Sequence, residues 1–188
     1  MSTIFLIVGK SGSGKTTLVN RLKDMGSAVE SYTTRPKRTP DETGHTFITE
    51  DEFKKLTHFV GYTYFDGYHY GAVQEQIDES LFYIIDPLGY EFFKGRYYGN
   101  KQVKVVYIEA PLFERLKRLT KRDGLKKAIA RVWHDARAFR GFKKDADVVI
   151  ANTDLSDATY RLRRLIKQTA WEEYVTKWEE YVTKEGEL

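Results

Sequence analysis

The sequence predicts a three-layer α/β fold in which a five-stranded parallel core sheet lies between helices. Three observations carry this reading: short apolar runs recur along the chain, helical periodicity follows most of them, and a glycine-rich turn joins the first run to the first helix. Ile4–Val8 is continuous and apolar, as a strand buried on both faces requires. Thr17–Met25 follows as a helix, with Leu18, Leu22 and Met25 on one side. Ala28–Tyr32 reads as the second strand, Leu81–Ile85 and Val103–Ile108 as the next two, and Asp147–Ala151 as the last. Ser156 or Asp157 is the expected cap of the final helix. Residues 35–71 are rich in Gly, Pro, Tyr and Thr and weakly periodic, apart from a helix at Glu50–Leu56. They read as an insertion that carries binding groups.

At 188 residues the chain is expected to form a single domain. Its core would comprise residues 1–34, 72–121 and 132–188, the insertion 35–71, and a short lid 122–131. No apolar run approaches the roughly 18 residues that cross a bilayer, and no basic leader precedes Ile4. The absence of cysteine excludes disulfides and thiolate metal sites. A cytoplasmic protein without a membrane partner is expected. The net charge of +4 suits anionic phosphate ligands without implying nucleic acid.

The tail repeats seven residues, WEEYVTK, as Trp171–Lys177 and Trp178–Lys184. That step keeps Trp171/Trp178, Tyr174/Tyr181 and Val175/Val182 along one helix face. A helix lengthened by duplication and packed on its own domain is favoured over a homodimer seam.

The chemistry begins at Gly9-Lys10-Ser11-Gly12-Ser13-Gly14-Lys15-Thr16, a complete G-x-x-x-x-G-K-[ST] phosphate loop between a strand and a helix. Its glycines let successive N–H groups turn inward around an anion, and the start of the helix adds its positive end. Lys15 is expected to reach the β- and γ-phosphates of ATP, and the Thr16 hydroxyl to ligate Mg2+. Tyr83-Ile84-Ile85-Asp86 ends an apolar run in a carboxylate, which suits either magnesium support or a helix cap before Pro87. Arg35 and Arg38, just beyond the second strand, form a fork suited to phosphate oxygens or a solvated basic loop.

Ser31-Tyr32-Thr33-Thr34-Arg35-Pro36-Lys37-Arg38 after such a loop resembles guanylate kinase. The same likeness extends to Glu42…Gly44, Phe47-Ile48-Thr49, Glu52-Phe53, Phe59…Phe65-x-Gly67-x-x-Tyr70-Gly71, Asp86-x-x-Gly89 and Asn152-x-Asp154-Leu155. It covers about Ile4 to Ile166. The resemblance implies a P-loop kinase with an inserted acceptor-binding region and a short helical lid. Gly9, Ser11, Gly12, Ser13, Gly14, Lys15, Thr16, Thr17 and Asn152 would hold ATP. Arg35, Arg38 and Tyr70 would clamp the acceptor phosphate, with His45 in the place of a second phosphate-binding tyrosine. Ser31 would face the base, and Asp86 would sit beside acceptor and magnesium, reaching the metal through water. Arg122 and Arg131 would supply lid arginines to the transferring phosphate. Lys15, Arg35, Arg122 and Arg131 are therefore the expected catalytic set.

Two departures stand out. The family's guanine-reading glutamate falls on Gly61, and the serine that helps it falls on Ala72. The expected activity is transfer of the γ-phosphoryl of ATP to a nucleoside 5′-monophosphate, with guanine specificity in doubt. A kinase of another phosphorylated small molecule and an inactive protein-interaction module are the alternatives; intact Lys15 and Thr16 argue against the module. A GTPase would need an N-K-x-D motif, which is absent. Lys117, Arg118, Lys121, Lys126 and Lys127 read as a solvated helix face, so no nucleic-acid partner is expected.

Overall fold

The computed structural model describes residues 2–185. From the N-terminus the elements are β1 (Thr3–Val8), α1 (Lys15–Asn20), β2 (Ser31–Thr33), β3 (His45–Phe47), α2 (Glu50–Lys55), β4 (Phe59–Phe65), β5 (Tyr68–Val73) and α3 (Gln74–Glu79). Then come β6 (Phe82–Ile84), α4 (Pro87–Lys94), β7 (Gln102–Glu109), α5 (Leu112–Asp123), α6 (Leu125–Ala138), β8 (Val148–Ala151) and α7 (Leu155–Glu185).

The core sheet has the order β6-β1-β7-β8, all parallel. Every residue of β1 is buried. Its alternation explains why: Ile4, Leu6 and Val8 pack into one apolar cluster, Phe5 and Ile7 into another that includes Leu18 and Leu162. The sheet is therefore covered on both faces, as the apolar runs required.

The expected fifth strand is not formed. Ala28 makes an isolated parallel bridge to Phe82, and the Val29 N–H donates to the Phe82 carbonyl at 2.8 Å. The chain then leaves the core, and Ser31–Thr33 pairs in a second sheet of order β3-β2-β5-β4. There β2 runs parallel to β3 and antiparallel to β5, so its hydrogen bonds go to the inserted region.

That region is more ordered than its composition suggested. β4 and β5 form a hairpin across Asp66-Gly67, both at positive φ (55° and 83°). Two residues at positive φ make the tight turn whose twist suits a hairpin, and Asp-Gly is its sequence signature.

The first helix ends sooner than expected. After Asn20 the bonds tighten to three-residue spacing, Leu22 N–H to Val19 and Met25 N–H to Leu22, although Leu22 stays buried. The last helix is capped by Asp154, whose carboxylate accepts from the Asp157 N–H at 2.7 Å, rather than by Ser156 or Asp157.

Along α7, Ala158, Leu162, Ile166 and Thr169 form the buried stripe. Glu173 ties the helix to β1 by accepting from the Ser2 N–H (3.0 Å) and the Thr3 hydroxyl (2.6 Å). The duplicated segment is helical as expected, but its aromatic face is not packed on the domain. Trp171, Tyr174, Trp178 and Tyr181 are more than half exposed. Among the described residues no helix is long and apolar enough to cross a membrane.

Candidate active site

The phosphate loop bends where its glycines permit. Gly12 and Gly14 have φ of +76° and +93°, and a Cβ on Gly14 would overlap the Asn152 amide. That amide donates to the Ser13 carbonyl at 2.7 Å, so Asn152 braces the loop from behind. The Arg118 guanidinium donates to the Gly12 carbonyl at 3.2 Å. Lys15 folds back to donate to the Gly9 carbonyl at 2.6 Å. Burial, against the pull of Asp135 and Asp86, pushes its pKa down to about 8.

A network that the sequence did not reveal closes over this loop. Asp135 Oδ2 accepts from the Ser11 N–H at 2.7 Å and from Arg115 Nη2 at 2.7 Å, while Oδ1 accepts from the Ser11 hydroxyl at 3.2 Å. Arg115 Nε donates to the Ser11 carbonyl at 2.9 Å. Arg115 and Asp135 are 4% and 3% exposed, so the pair satisfies itself with almost no water. Each residue looks like one more charge on an amphipathic helix, and nothing in the local pattern separates them from solvated neighbours. Ser11, expected to face ATP, is turned to Asp135.

Just beyond β2, Arg35 is held bidentately by Glu42 at 2.8 and 3.1 Å and donates to the Pro36 carbonyl at 2.7 Å. Its Nε–H is buried without a partner. Burial would raise the Glu42 carboxyl, but hydrogen bonds from Arg35 and the Arg38 N–H outweigh it and hold it at about 2. Arg38 is more open and lies close enough to Arg35 and Arg122 for their charges, after burial, to lower its pKa.

Ser31 and His45 sit opposite each other in the β2–β3 register, with Ser31 Oγ 2.9 Å from His45 Nδ1. The His45 and Tyr70 rings meet edge to face at 5.7 Å. Burial and Arg35 lower the His45 pKa, which keeps the ring neutral. When Ser31 donates to Nδ1, the Nε2–H is left to donate elsewhere. Asp86 caps α4 by accepting from the Gly89 N–H at 2.7 Å, so the capping reading holds; its position beside Lys15 is equally real.

The segment 122–131, expected to be a short helical lid, is helical apart from one residue. It spans the junction of α5 and α6, where only Gly124 interrupts the helices. Arg122 donates to both oxygens of Asp123 at 3.0 and 2.8 Å, and Arg131 Nε lies 3.3 Å from the same carboxylate. The two arginines are thus gathered at one point.

One cavity brings most of the expected groups together. Its wall includes Gly9, Ser11 and Lys15 from the loop, Ser31, His45 and Tyr70 from the second sheet, and Arg38, Asp86 and Arg131. Arg35 and Arg122 lie outside that wall, and Thr16 and Thr17 are exposed on α1. The residues fit a nucleotide and its metal. The loop is packed so tightly behind Gly9, Gly12 and Gly14 that a Cβ would clash there, the Arg35 Nε–H is an orphaned donor, and the Thr16 hydroxyl is open to solvent beside Lys15.

Comparison with known proteins gives a consistent result. Residues 1–169 match the guanylate kinase family. The chain is 31% identical over 178 residues to the guanylate kinase of Thermotoga maritima, spanning 87% of this chain and 86% of that protein. It is 32% identical over 180 residues to that of Chlamydia muridarum, at 86% and 85% coverage. The crystal structure of guanylate kinase from Anaplasma phagocytophilum aligns with a TM-score of 0.60 at 20% identity, over 90% of this chain and 87% of that one, a likeness of fold.

Proposed function

The chain belongs to the guanylate kinase family, and from that premise we propose that it transfers the γ-phosphoryl of ATP to a nucleoside 5′-monophosphate. The observation that carries this is the shared cavity: Lys15 of the phosphate loop opens onto the same space as Arg38, His45, Tyr70, Asp86 and Arg131. A donor loop and an acceptor clamp facing one cavity are what in-line transfer between two phosphates needs.

The acceptor phosphate is already anionic, so no general base has to be found. Lys15 neutralises charge on the transferring group, and Arg122 and Arg131 add to it once a phosphate competes for their shared Asp123. Arg38, Tyr70 and the neutral His45 hold the acceptor phosphate, and Arg35, just behind the cavity wall, would join them if Glu42 released it. The Thr16 hydroxyl and, through water, Asp86 would hold a magnesium ion, which would supply positive charge against the phosphates. Strong guanine preference is not expected, because Gly61 and Ala72, cross-strand partners in the β4–β5 hairpin, carry no polar side-chain atom.

ATP consumption measured against a panel of nucleoside monophosphates tests the reading. Acceptor-dependent turnover with formation of the nucleoside diphosphate is the expected result. ATP turnover that is indifferent to every monophosphate would remove it.

A further inference from the structure

We propose that the Tyr83 hydroxyl reads the acceptor base in place of a carboxylate, and that the enzyme accordingly accepts both keto and amino bases. The inference rests on the monophosphate kinase reading above.

Gly61 is not simply an empty position. A Cβ there would overlap the Tyr83 hydroxyl and lie 2.9 Å from both Cε1 and Cζ of its ring. The phenol therefore fills the space that a side chain at position 61 would take. Tyr83 cannot swing aside cheaply. It lies on β6 in register with Leu6, is 5% exposed, and packs its ring against Phe93 at 6.2 Å.

Among the described residues nothing accepts from or donates to its hydroxyl, yet Tyr83 lines the same cavity as Ser31, His45 and Tyr70. A buried phenol usually finds a hydrogen-bond partner, and here the remaining candidate is whatever enters the cavity. Thr63 points the same way. It lies two residues along β4 from Gly61, on the same face, and its hydroxyl is buried without a partner in the wall of that cavity.

The chemistry of these groups sets the specificity. A carboxylate offers only acceptors, which selects the paired N–H donors of guanine. A phenol offers one donor and one acceptor, as does a threonine hydroxyl. Burial and the nearby Asp86 raise the Tyr83 pKa, so the hydroxyl keeps its proton. It can donate to a keto oxygen or accept from an exocyclic amine, so neither kind of base leaves the phenol unpaired.

The test is Tyr83→Phe, which removes one oxygen that no protein group holds. For the unmodified enzyme, kcat/KM for GMP, AMP, CMP and dTMP should fall within about a hundredfold of one another, where a site built for one base separates them by roughly 10⁴ or more. Tyr83→Phe should lower kcat/KM for its acceptors by about tenfold through the monophosphate KM, leaving the ATP KM and Tm unchanged. Purine riboside 5′-monophosphate, which lacks the exocyclic group, gives the same deletion from the ligand side. It should be about tenfold poorer than AMP with the unmodified enzyme, whether or not the variant folds.

A Tyr83→Phe enzyme kinetically identical to the original would overturn the proposal and leave the kinase reading standing. So would an unmodified enzyme that prefers one base by more than about a thousandfold, or one that does not distinguish purine riboside monophosphate from AMP. An enzyme that turns over no monophosphate would instead remove the kinase reading on which the proposal rests.

Discussion

The phosphate loop and the wall around Gly61 are both buried polar surfaces, but they are held in opposite ways. Around the loop most polar groups are engaged by protein, although the Ser13 hydroxyl and Asn152 Oδ1 are buried without a partner. Asp135 and Arg115 grip Ser11, Asn152 braces Ser13, and Lys15 rests on the Gly9 carbonyl. Around Gly61 the packing is apolar and aromatic, and the hydroxyls of Tyr83 and Thr63 are left unengaged. The braced network fixes the geometry of the loop, which on the proposed reading accepts phosphate in one way only. The unsatisfied wall costs some stability until a ligand arrives, and its hydroxyls can turn to suit different ligands.

The sharpest way to break this contrast is Asp135→Ala. It leaves Arg115 buried beside the loop without its carboxylate, a loss of about 3–5 kcal/mol. A Tm lowered well beyond that of any variant of the base wall is the expected outcome in thermal unfolding. Lys15→Ala comes next. Turnover should fall by about a hundredfold or more, with Tm little changed, because on the proposed reading the ammonium serves the transferring phosphate rather than the fold. Retained turnover would show that the loop does not perform the transfer.

Gly61→Ala probes the other region more gently. The added methyl meets the Tyr83 ring and hydroxyl, so an overpacking cost of about 1–3 kcal/mol is expected in denaturant unfolding. Gly61→Ala with Tyr83→Phe should recover part of it, and strict additivity would mean the two residues do not touch. For the same reason Gly61→Glu alone cannot restore a carboxylate; it needs a smaller residue at position 83. The smallest effect belongs to the tail. Deleting Trp178–Lys184 should leave both activity and oligomeric state unchanged, since the buried stripe of α7 ends at Thr169 and, among the described residues, Glu173 makes the last hydrogen bonds to β1. A dimer that became a monomer would assign the exposed Trp and Tyr face to a seam.

How much of this was legible in the sequence follows from the range of the interactions. The phosphate loop was readable because eight consecutive residues carry it, and Gly9–Thr16 lie where strand and helix dictate. The core strands were readable because burial on both faces demands uninterrupted apolar runs. Ala28–Tyr32 misled because a strand's identity does not say which sheet will take its hydrogen bonds; Ala28 bridges Phe82, while Tyr32 pairs with Gly71. The β4–β5 hairpin was readable in principle from Asp66-Gly67. The Asp135–Arg115–Ser11 network was not, since its members lie 20 and 104 positions apart. Nor was the Tyr83–Gly61 contact, which joins the core sheet to the second sheet.

The Asp135 carboxylate has one more consequence, which concerns competition in solution. An open glycine loop is attractive to any small anion, including free phosphate and sulfate. Here the Ser11 N–H and hydroxyl already hold a carboxylate tethered to the same chain. A tethered group acts at a high effective concentration, so an ion bringing only one point of contact is a poor competitor. A triphosphate, reaching Lys15 and the remaining loop donors together, can displace it or settle alongside. On the proposed reading, free phosphate should therefore compete poorly with ATP for the loop.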